Sequence, residues 1–437
     1  MSLFTFKKGI HLPYNKEFSK DKSIEYVAPK DELIFPLSQH IGAPCESLVK
    51  IGDKVLVNQK IGDSNSFISC PIHSSVSGIV SEIKDIKYFN GSKIKAIIVK
   101  NDFKYESIEI KESPFDYKTS SLKDLSSFVK ESGIVGLGGA TFPCHVKLNV
   151  KDEKKVKYII INAAECEPYL TCDHRVMVEY TNEIITALNI LLEFFKEAKV
   201  YIGIEDNKQD AINSFNKILL NNSKIKVIPL ETKYPQGSEK HLIYAMTKLE
   251  VPSGKLPLDI GCIVHNISTI YQLYKSLVLN LPLTERVLTV TGDSINSPKN
   301  LLVKIGTPLK EVIKYCGGFK TPPSKIILGG PMMGFTVNSL DLPVTKGTSG
   351  ILCLGNPDTS LESHCIRCGK CIDVCPMNLL PQKLNELSNK NKLNEFKEFN
   401  GMDCIECGCC AFSCPAKIPL VQNFKKAKIS IRNNSKK

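Results

Sequence analysis

The chain lacks any hydrophobic run long enough to cross a membrane. Its longest apolar stretch, residues 187–195, is interrupted by Asn189 and Glu193, whereas a spanning helix needs ~18 or more apolar residues in succession. The N-terminal segment also lacks the charged-then-apolar profile of a secretory signal peptide. We therefore expect a protein that does not itself cross a membrane.

Closely spaced cysteine pairs are missing from most of the chain. Of its 17 cysteines, those outside the C-terminal region show no tight pairing. They are Cys45, Cys70, Cys144, Cys166, Cys172, Cys262, Cys316 and Cys353. This distribution argues against a disulfide framework and favours a reducing cytoplasm.

The composition excludes two further classes of protein. With 42% hydrophobic residues in a chain of 437, the protein is not disordered, and its length predicts three or four domains. The formal net charge is +12, yet no aromatic-interleaved basic face or nucleic-acid reader motif accompanies it. We therefore expect no nucleic-acid partner.

Part of the positive charge is concentrated in the C-terminal tail. The cations there are Lys425, Lys426, Lys428, Arg432, Lys436 and Lys437. One interpretation is that the tail contacts anionic lipid or an acidic partner. The alternative is a solvated, disordered tail.

The C-terminal region contains the same cysteine run twice. Each run has the spacing C-x2-C-x2-C-x3-C-P, first over residues 365–376 and then over residues 404–415. This is the bacterial-ferredoxin pattern for a pair of [4Fe-4S] clusters, in which the fourth cysteine of each run binds the other cluster. The predicted ligand sets are Cys365, Cys368, Cys371 and Cys414 for one cluster, and Cys375, Cys404, Cys407 and Cys410 for the other.

Two alternatives accompany this interpretation. Structural zinc also uses paired C-x2-C steps, although it does not explain a third and a fourth cysteine followed by proline, twice. Cys409 stands beside Cys410 and could compete as a ligand, but the regular spacing favours Cys410. We interpret Cys409 as a buried free thiol near the cluster.

The pattern of elements predicts a multidomain α/β protein. Residues 1–115 contain short β-runs and turns that resemble the barrel-sandwich fold of biotinyl and lipoyl carriers, but residues 63–71 lack the carrier lysine. This N-terminal module is therefore expected to be a structural or docking cap. The predicted units that follow are an α/β domain (116–284), a β-grasp module (285–350), a twin-cluster ferredoxin-like domain (351–420) and a basic tail (421–437).

A glycine-rich segment opens the α/β region. Residues 133–143 read GIVGLGGATFP, and such loops can bring backbone N–H groups close to a phosphate. By itself the segment could equally be a tight turn, and it is not the Rossmann pattern. An apolar strand then runs into NAAECEP at residues 162–168, which puts polar groups where open α/β sheets bind ligands.

Two more segments complete a resemblance. Residues 234–240 read YPQGSEK and residues 265–269 read HNIST. In this order the four segments resemble the flavin and NADH site of the flavoprotein subunit of respiratory complex I. The resemblance implies FMN as a non-covalent cofactor and NADH as substrate. The cofactor-binding residues it implies are Gly136, Gly138, Gly139, Ala140, Phe142, Lys147, Asn162, Glu165, Glu167, Glu239 and Asn266.

The resemblance also implies individual roles. The glycines and Ala140 would line the flavin phosphate and ring, Phe142 would stack on nucleotide, and Lys147 would meet a phosphate. Glu167 would face the nicotinamide nucleotide. No catalytic acid, base or nucleophile is implied.

Three positions depart from the complex I pattern. Leu137 replaces an arginine, Ala164 replaces an aspartate and His265 replaces an asparagine. A flavin-type fold that has lost its cofactor is therefore the alternative for this region.

The order of all four units is similar to that of the C subunit of the Rnf (Rsx) electron-transport complex, over nearly the whole chain. This resemblance implies an NADH-linked, peripheral electron-transfer subunit of an ion-translocating oxidoreductase, at the cytoplasmic face of the inner (plasma) membrane. Its implied partners are the membrane subunits of the complex, including a ferredoxin-like subunit and flavin-carrying subunits, and its membrane contact is made through them. The alternative is an iron-sulfur electron wire or docking subunit without nucleotide chemistry of its own.

Overall fold

Two small antiparallel sheets build the N-terminal module. The structure, a computed structural model, describes residues 3–89, 91–110, 115–356 and 360–434. The first strands are β1 (Ile24–Val27), β2 (Glu32–Pro36), β3 (Glu46–Ser47), β4 (Lys54–Val55), β5 (Lys60–Asp63), β6 (Ile72–His73), β7 (Gly78–Lys87) and β8 (Lys93–Asn101). One sheet has the order β2-β8-β7-β4 and the other β3-β5-β6. Alternate residues such as Leu33 and Phe35 point inward and are fully buried, as expected of half-buried strands.

The segment before β2 belongs to the rest of the molecule. Strand β1 joins the sheet of the β-grasp module, and Phe4 and Ile10 form β-bridges with Leu230 and Tyr234 of the α/β domain. The stretch before β2 therefore packs on the β-grasp module and the α/β domain.

A four-stranded parallel sheet forms the α/β domain, as the sequence predicts. Its elements are α1 (Leu122–Glu131), α2 (Cys144–Leu148), β9 (Tyr158–Ala163), α3 (Cys172–Glu179), α4 (Thr181–Phe194), β10 (Lys199–Glu205), α5 (Gln209–Ile218), β11 (Ile225–Leu230), α6 (Glu239–Thr247), β12 (Cys262–Asn266) and α7 (Ile267–Leu279). Helices cover both faces, so β9 is a continuous apolar run rather than an alternating one. Ile159 and Ile161 pack on the side of α4 and α7, and Ile160 packs on the side of α6.

The strand order creates a crevice. The strand order in the sheet is β11-β10-β9-β12. After β9 the chain therefore adds β10 and β11 on one side of β9 and then crosses over to add β12 on its other side. Open α/β sheets bind ligands at such a reversal, outside the carboxyl ends of the strands. The ends of β9 and β12 carry Asn162 and Asn266, which are paired in register.

A six-stranded sheet and one helix form the β-grasp module. It consists of β13 (Glu285–Thr291), β14 (Lys299–Lys304), α8 (Leu309–Tyr315), β15 (Lys325–Leu328), β16 (Phe335–Val337) and β17 (Gly350–Leu354), with β1 at one edge. Val312 and Ile313 of α8 pack on the sheet core with Leu288 and Val290.

Short helices build the C-terminal domain. They are α9 (Lys370–Asp373), α10 (Pro381–Asn389), α11 (Leu393–Glu398), α12 (Cys409–Phe412) and α13 (Leu420–Asn434). The sequence predicts one helix over residues 384–399 between the cysteine runs, but the structure has two. Asn391 adopts a left-handed conformation between them, which ends one helix before the next begins.

The disordered alternative for the C-terminal tail is wrong for residues 420–434, because they form helix α13. Leu420, Phe424, Ala427 and Ile431 recur at helical spacing and are buried, so they form a stripe that packs on the domain. Lys428 is buried too and donates to the carbonyl of Cys404 at 2.8 Å. That cation is therefore engaged internally, whereas Lys436 and Lys437 lie outside the described residues.

Within the described part of the chain, no helix combines the length and the apolar character that a bilayer-crossing segment requires.

We predict that α13 is an integral part of the C-terminal domain. Phe424→Ala should lower the free energy of unfolding by about 3–5 kcal/mol, because it leaves a cavity beside Phe396. Ile429→Ala, an exposed position on the same helix, should change it by no more than about 0.5 kcal/mol. Urea denaturation of the anaerobic protein measures both, and equal effects would contradict the assignment.

Candidate flavin and iron-sulfur site

The glycine-rich loop lies at the mouth of the crevice. The Gly136 amide donates to the Phe142 carbonyl at 2.8 Å and closes the loop. Between them Gly138, Gly139 and Ala140 are exposed, and no hydrogen bond within the described structure uses their N–H groups. Gly139 has φ +103°, and a Cβ built there meets no atom within 4 Å. The loop is therefore an open cradle of free backbone donors.

Contacts from two directions hold the loop. The Leu137 amide donates to Thr269 Oγ1 at 2.9 Å, and a Cβ on Gly138 would approach the Asn266 side chain to 3.3 Å. From the N-terminal module, the Ile41 amide donates to the Thr141 carbonyl at 3.3 Å. The predicted cap thus touches the glycine loop directly.

The two asparagines at the strand ends are fully engaged. Asn162 Nδ2 donates to the Gly237 carbonyl at 2.7 Å. Asn266 caps helix α7 by accepting from the amides of Ser268 and Thr269, and its Nδ2 donates to Asp173 at 2.7 Å. These bonds orient both amides before any ligand arrives.

Glu165 sits at the N-terminus of helix α3. One carboxylate oxygen accepts from the Asp173 amide at 2.7 Å and the other from the His174 amide at 3.3 Å. Burial raises the pKa of Glu165, whereas the Lys16 ammonium, 3.7 Å away, opposes the rise. Helix-terminal N–H groups favour the ionised form, so the carboxylate anchors the NAAECEP segment to α3.

Two buried lysines that sequence reasoning missed hold the same segment. Lys16 donates to the carbonyls of Glu165 and Glu167 at 2.8 and 3.1 Å, and also to the carbonyl of Leu170. Lys208 donates to the Ala164 carbonyl at 2.7 Å and pairs with buried Glu205 at 3.1 Å. The signal for Lys16 was present, since it ends the segment GIHLPYNK that resembles the Rnf family.

The Glu167 carboxylate faces the β-grasp module. It accepts from the amides of Met332 and Met333 at 3.0 and 2.9 Å. Burial raises the pKa of Glu167 to about 7, against the opposing effect of these two amides. The structure therefore places the Glu167 carboxylate against the GGPMMG turn (residues 329–334) of the β-grasp module.

Lys147 and Glu239 form an ion pair on the open side of the crevice. Lys147 Nζ lies 2.8 Å from Glu239 and 2.9 Å from the Val264 carbonyl. Their side chains are 31% and 41% exposed, so both can exchange this contact for a ligand. Phe142, on the glycine-rich loop, is half-buried.

The three departures from the complex I pattern point away from solvent. Leu137 and Ala164 are buried. His265 is buried between Cys144 and its own strand, and burial lowers its pKa to about 3, so the ring is neutral. These substitutions change the wall behind the crevice and leave the exposed donors in place.

Four of the predicted cluster ligands surround one cavity in the C-terminal domain. Cys375 of the first run joins Cys404, Cys407 and Cys410 of the second run in its lining. Cys409 also lines this cavity, and the rest of the lining is apolar and includes Leu384. A cavity walled by cysteine side chains and otherwise apolar fits a [4Fe-4S] cluster. Cys375 of the first run lies in this wall with cysteines of the second run, and the choice of its four ligands stays a prediction.

The other predicted set lies closer to the surface. Cys365 and Cys368 are exposed, and Cys371 and Cys414 are partly buried. Burial raises the pKa of Cys371, and the neighbouring thiols of Cys414 and Cys365 add to the rise. We call Cys375, Cys404, Cys407 and Cys410 the inner set, and Cys365, Cys368, Cys371 and Cys414 the outer set.

Across the described residues, no three His, Cys, Asp or Glu side chains form a group suited to a single metal ion. The thiols of the inner set instead stand around the cavity wall.

Cys409 lines the same cavity and also contacts the α/β domain. It is fully buried, and its thiol lies 3.9 Å from the Tyr234 carbonyl. A hydrogen bond to Cys407 raises the pKa of Cys409. The thiol is therefore buried beside the inner set, and its interpretation as a free thiol instead of a cluster ligand stays a prediction.

A small apolar cluster joins the crevice to the inner set. It contains Cys166, Tyr234, Cys407 and Cys409. At one end the Gly237 amide donates to Cys166 Sγ at 3.2 Å, next to Asn162. At the other end the Tyr234 hydroxyl donates to the Cys407 carbonyl at 2.8 Å.

Four family models match the chain in the order of its domains. Their descriptions are "RnfC Barrel sandwich hybrid domain" over residues 4–104, "Nuo51 FMN-binding domain" over 129–275, "SLBB domain" over 287–336 and "4Fe-4S dicluster domain" over 364–418. Fold and matches together define an electron-transfer protein with an FMN domain and a domain for two [4Fe-4S] clusters. The predicted cofactors FMN and [4Fe-4S] are thereby confirmed.

Full-length relatives identify the family. The chain is 44% identical to the C subunit of the Na(+)-translocating ferredoxin:NAD(+) oxidoreductase complex of Acetobacterium woodii, over 98% of this chain and 97% of the relative. It is 44% identical to the proton-translocating counterpart of Clostridium ljungdahlii, over 97% and 93%. With the C subunit of the ion-translocating oxidoreductase complex of Rhodobacter capsulatus it shares 39% identity, over 99% and 85%. The chain belongs to the family of C subunits of the Rnf-type ion-translocating oxidoreductases and is an electron-transfer subunit of such a complex.

A solved structure also resembles the chain. An NAD+-reducing [NiFe]-hydrogenase chain in the air-oxidised state superposes with a TM-score of 0.49 at 15% identity, over 66% of this chain. The match spans about half, 55%, of that hydrogenase chain.

We predict that the adjacent Cys409 and Cys410 differ in role. Cys410→Ser should remove one cluster, so that the iron content falls from about eight to about four per chain. Cys409→Ser, the matched neighbour, should keep the full content. Iron and sulfide analysis of anaerobically purified protein measures both. A full iron content in the Cys410 variant, or half the iron content in the Cys409 variant, would contradict the assignment of Cys410 as the ligand and Cys409 as the free thiol.

We predict a pH-dependent contribution of Glu167 to stability. A carboxyl whose pKa is raised in the folded state stabilises the fold at low pH and loses that contribution as pH rises toward the folded pKa. Between about pH 5 and 8, wild type should therefore lose roughly 2–3 kcal/mol relative to Glu167→Gln. Parallel denaturation series give the difference. A constant difference across the range would refute the shift.

Proposed function

We propose that this subunit exchanges electrons between NAD(H) and partner subunits, with FMN in the crevice and with clusters in the inner and outer cysteine sets. The supporting observation is the apolar cluster that connects the crevice to the inner set through Cys166 and Tyr234. The relatives from A. woodii and C. ljungdahlii carry NAD(+) and ferredoxin in their names, which supports the choice of nucleotide.

In this proposal the open loop holds the flavin. The exposed backbone of Gly138, Gly139 and Ala140 offers free N–H donors, which suit a phosphate. Gly136 sets the start of the loop through its bond to the Phe142 carbonyl. The absence of side chains at the three glycines allows a flat ring to approach the backbone closely.

FMN would supply the conversion between two-electron exchange with a nicotinamide and one-electron exchange with clusters. The residues of the site need only bind and orient the flavin and the nucleotide and shield them from water. Asn162 and Asn266 are held in place by their existing hydrogen bonds, so little ordering remains for ligand binding. Lys147 would leave Glu239 to meet a phosphate, and Phe142 would stack on nucleotide.

The paired glutamates have no acid–base role in this proposal. Glu165 is occupied by two helix-terminal amides and would act by orienting the NAAECEP segment toward the flavin. Glu167 holds the GGPMMG turn in the structure. Its proposed contact with the nicotinamide nucleotide would require the carboxylate to turn from these amides.

From the positions of the two cysteine sets we propose the order in which electrons pass between the crevice, the inner set and the outer set. The inner set adjoins Tyr234 and Cys166 and is the one nearer the crevice. The outer set has two exposed cysteines, Cys365 and Cys368, on a loop that also exposes Leu361 and Ile366. We assign the outer set to electron exchange with a partner subunit.

The partners and the location complete the proposal. The partners are the membrane subunits of the complex, among them a ferredoxin-like subunit and flavin-carrying subunits. The chain would sit peripherally at the cytoplasmic face of the inner membrane and contact the membrane through them. Lys426 and Arg432 on α13 are exposed and could add contact with an acidic surface.

We predict that Gly139→Val abolishes flavin binding and NADH reactivity without loss of iron. Position 139 has φ +103°, where a β-branched residue is strained, and its side chain would enter the open cradle. Gly318→Val is the matched control, since it has φ +72° and open space around its Cβ in the β-grasp module. The control should keep about one FMN per chain that NADH reduces anaerobically.

Two outcomes would count against the proposal. Wild type with full iron but without FMN would leave only the electron-wire function. NADH oxidation by the Gly139 variant at the rate of the Gly318 variant would move the nucleotide chemistry to another site.

A further inference from the structure

Arg286 is a fully buried cation behind the glycine loop. It lies on β13 of the β-grasp module, and its side chain is 2% exposed. Its Nε donates to the Thr348 carbonyl at 3.1 Å and its Nη2 donates to the Leu137 carbonyl. Its Nη1 has no hydrogen-bond partner among the described residues.

The charge of Arg286 is unusually poorly compensated. Both hydrogen bonds that it makes in the described structure go to backbone carbonyls. The Asp173 carboxylate, which attracts the guanidinium from a distance, is hydrogen-bonded by Asn266 and Ser268. A buried cation is costly unless an anion or several acceptors balance it, so this site favours the arrival of an anion nearby.

The bond to Leu137 also sets the direction of the next amide. A trans peptide places the carbonyl of one residue and the N–H of the next on opposite sides. Because Arg286 and the loop interior hold the Leu137 carbonyl inward, the Gly138 N–H must point outward. Gly138 is exposed, and its N–H has no partner in the described structure.

The loop cannot supply this charge itself. Residues 133–143 contain neither lysine nor arginine, and the Leu137 amide is held separately by Thr269. The cation behind the loop therefore comes from a different domain, through a contact that only the packing of the β-grasp module on the α/β domain creates.

We propose that Arg286 is a positioning residue for the phosphate of FMN. By holding the Leu137 carbonyl it presents the Gly138 amide to the phosphate, and its buried charge lies behind that donor. The phosphate is thereby the part of the ligand that the loop selects. This inference rests on the proposed function, because it takes the glycine loop to be the FMN site.

The test compares FMN with riboflavin, which has the same ring but no phosphate. Flavin-stripped full-length protein is titrated anaerobically with each ligand, and the ratio of the two dissociation constants reports the contribution of the phosphate. Arg286→Met should lower the preference for FMN at least tenfold while riboflavin affinity changes little. Iron content checks that the variant is folded.

Lys346→Met is the matched control. Lys346 is also a fully buried cation from the β-grasp region that donates to two backbone carbonyls, those of Pro71 and Gly133, outside the exposed part of the loop. It should lower stability and leave the FMN-to-riboflavin preference at the wild-type value.

The outcomes separate the inference from the proposed function. Wild type that binds neither flavin overturns both, and wild type that binds both flavins equally well overturns the inference alone. An unchanged preference in iron-replete Arg286→Met also overturns the inference. If that variant does not fold, Arg286→Lys decides instead, because lysine lacks the separate Nε and Nη2 donors with which Arg286 binds the Thr348 and Leu137 carbonyls. A preference at least threefold below wild type supports the inference, and an unchanged one overturns it.

Discussion

The contact between Tyr234 and the second cysteine run is the constraint on which the arrangement depends. Electron transfer requires two cofactor sites to be held close together, and they lie in different domains here. The Tyr234 hydroxyl bonds to the Cys407 carbonyl, and His241 bonds to the Pro376 carbonyl at 3.0 Å. Both bonds reach the backbone of cysteine loops, so they position the ligand-bearing loops themselves relative to the crevice.

Buried cations provide the second level of organisation. Lys16, Lys208 and Arg286 come from three distant parts of the chain, and each donates to backbone carbonyls of the loops around the crevice. Carbonyls held in this way cannot rotate, and the amides that follow them keep a defined direction. Long polar side chains are rarely buried unless they gain such bonds, so these lysines and this arginine mark where rigidity is needed.

The sequence was a good guide where chemistry depends on local spacing. The cysteine runs specified two clusters, and the apolar run before NAAECEP located the strand around Ile160. It was a poor guide where a helix ends. The break at Asn391 and the ordered α13 depend on packing within the C-terminal domain, although the apolar repeat from Leu420 to Ile431 could have indicated the latter helix.

By itself, the sequence determined the chemistry that the chain can carry, because ligand type and spacing are local properties. Eight thiols in two regular runs and a glycine-rich loop before a buried strand need no knowledge of the fold. Only the tertiary structure decided which cysteine set adjoins the crevice and that Glu167 faces the β-grasp turn. It also decided that an arginine from β13 stands behind the loop. Those relations join residues far apart in the chain, and packing between domains alone brings them together.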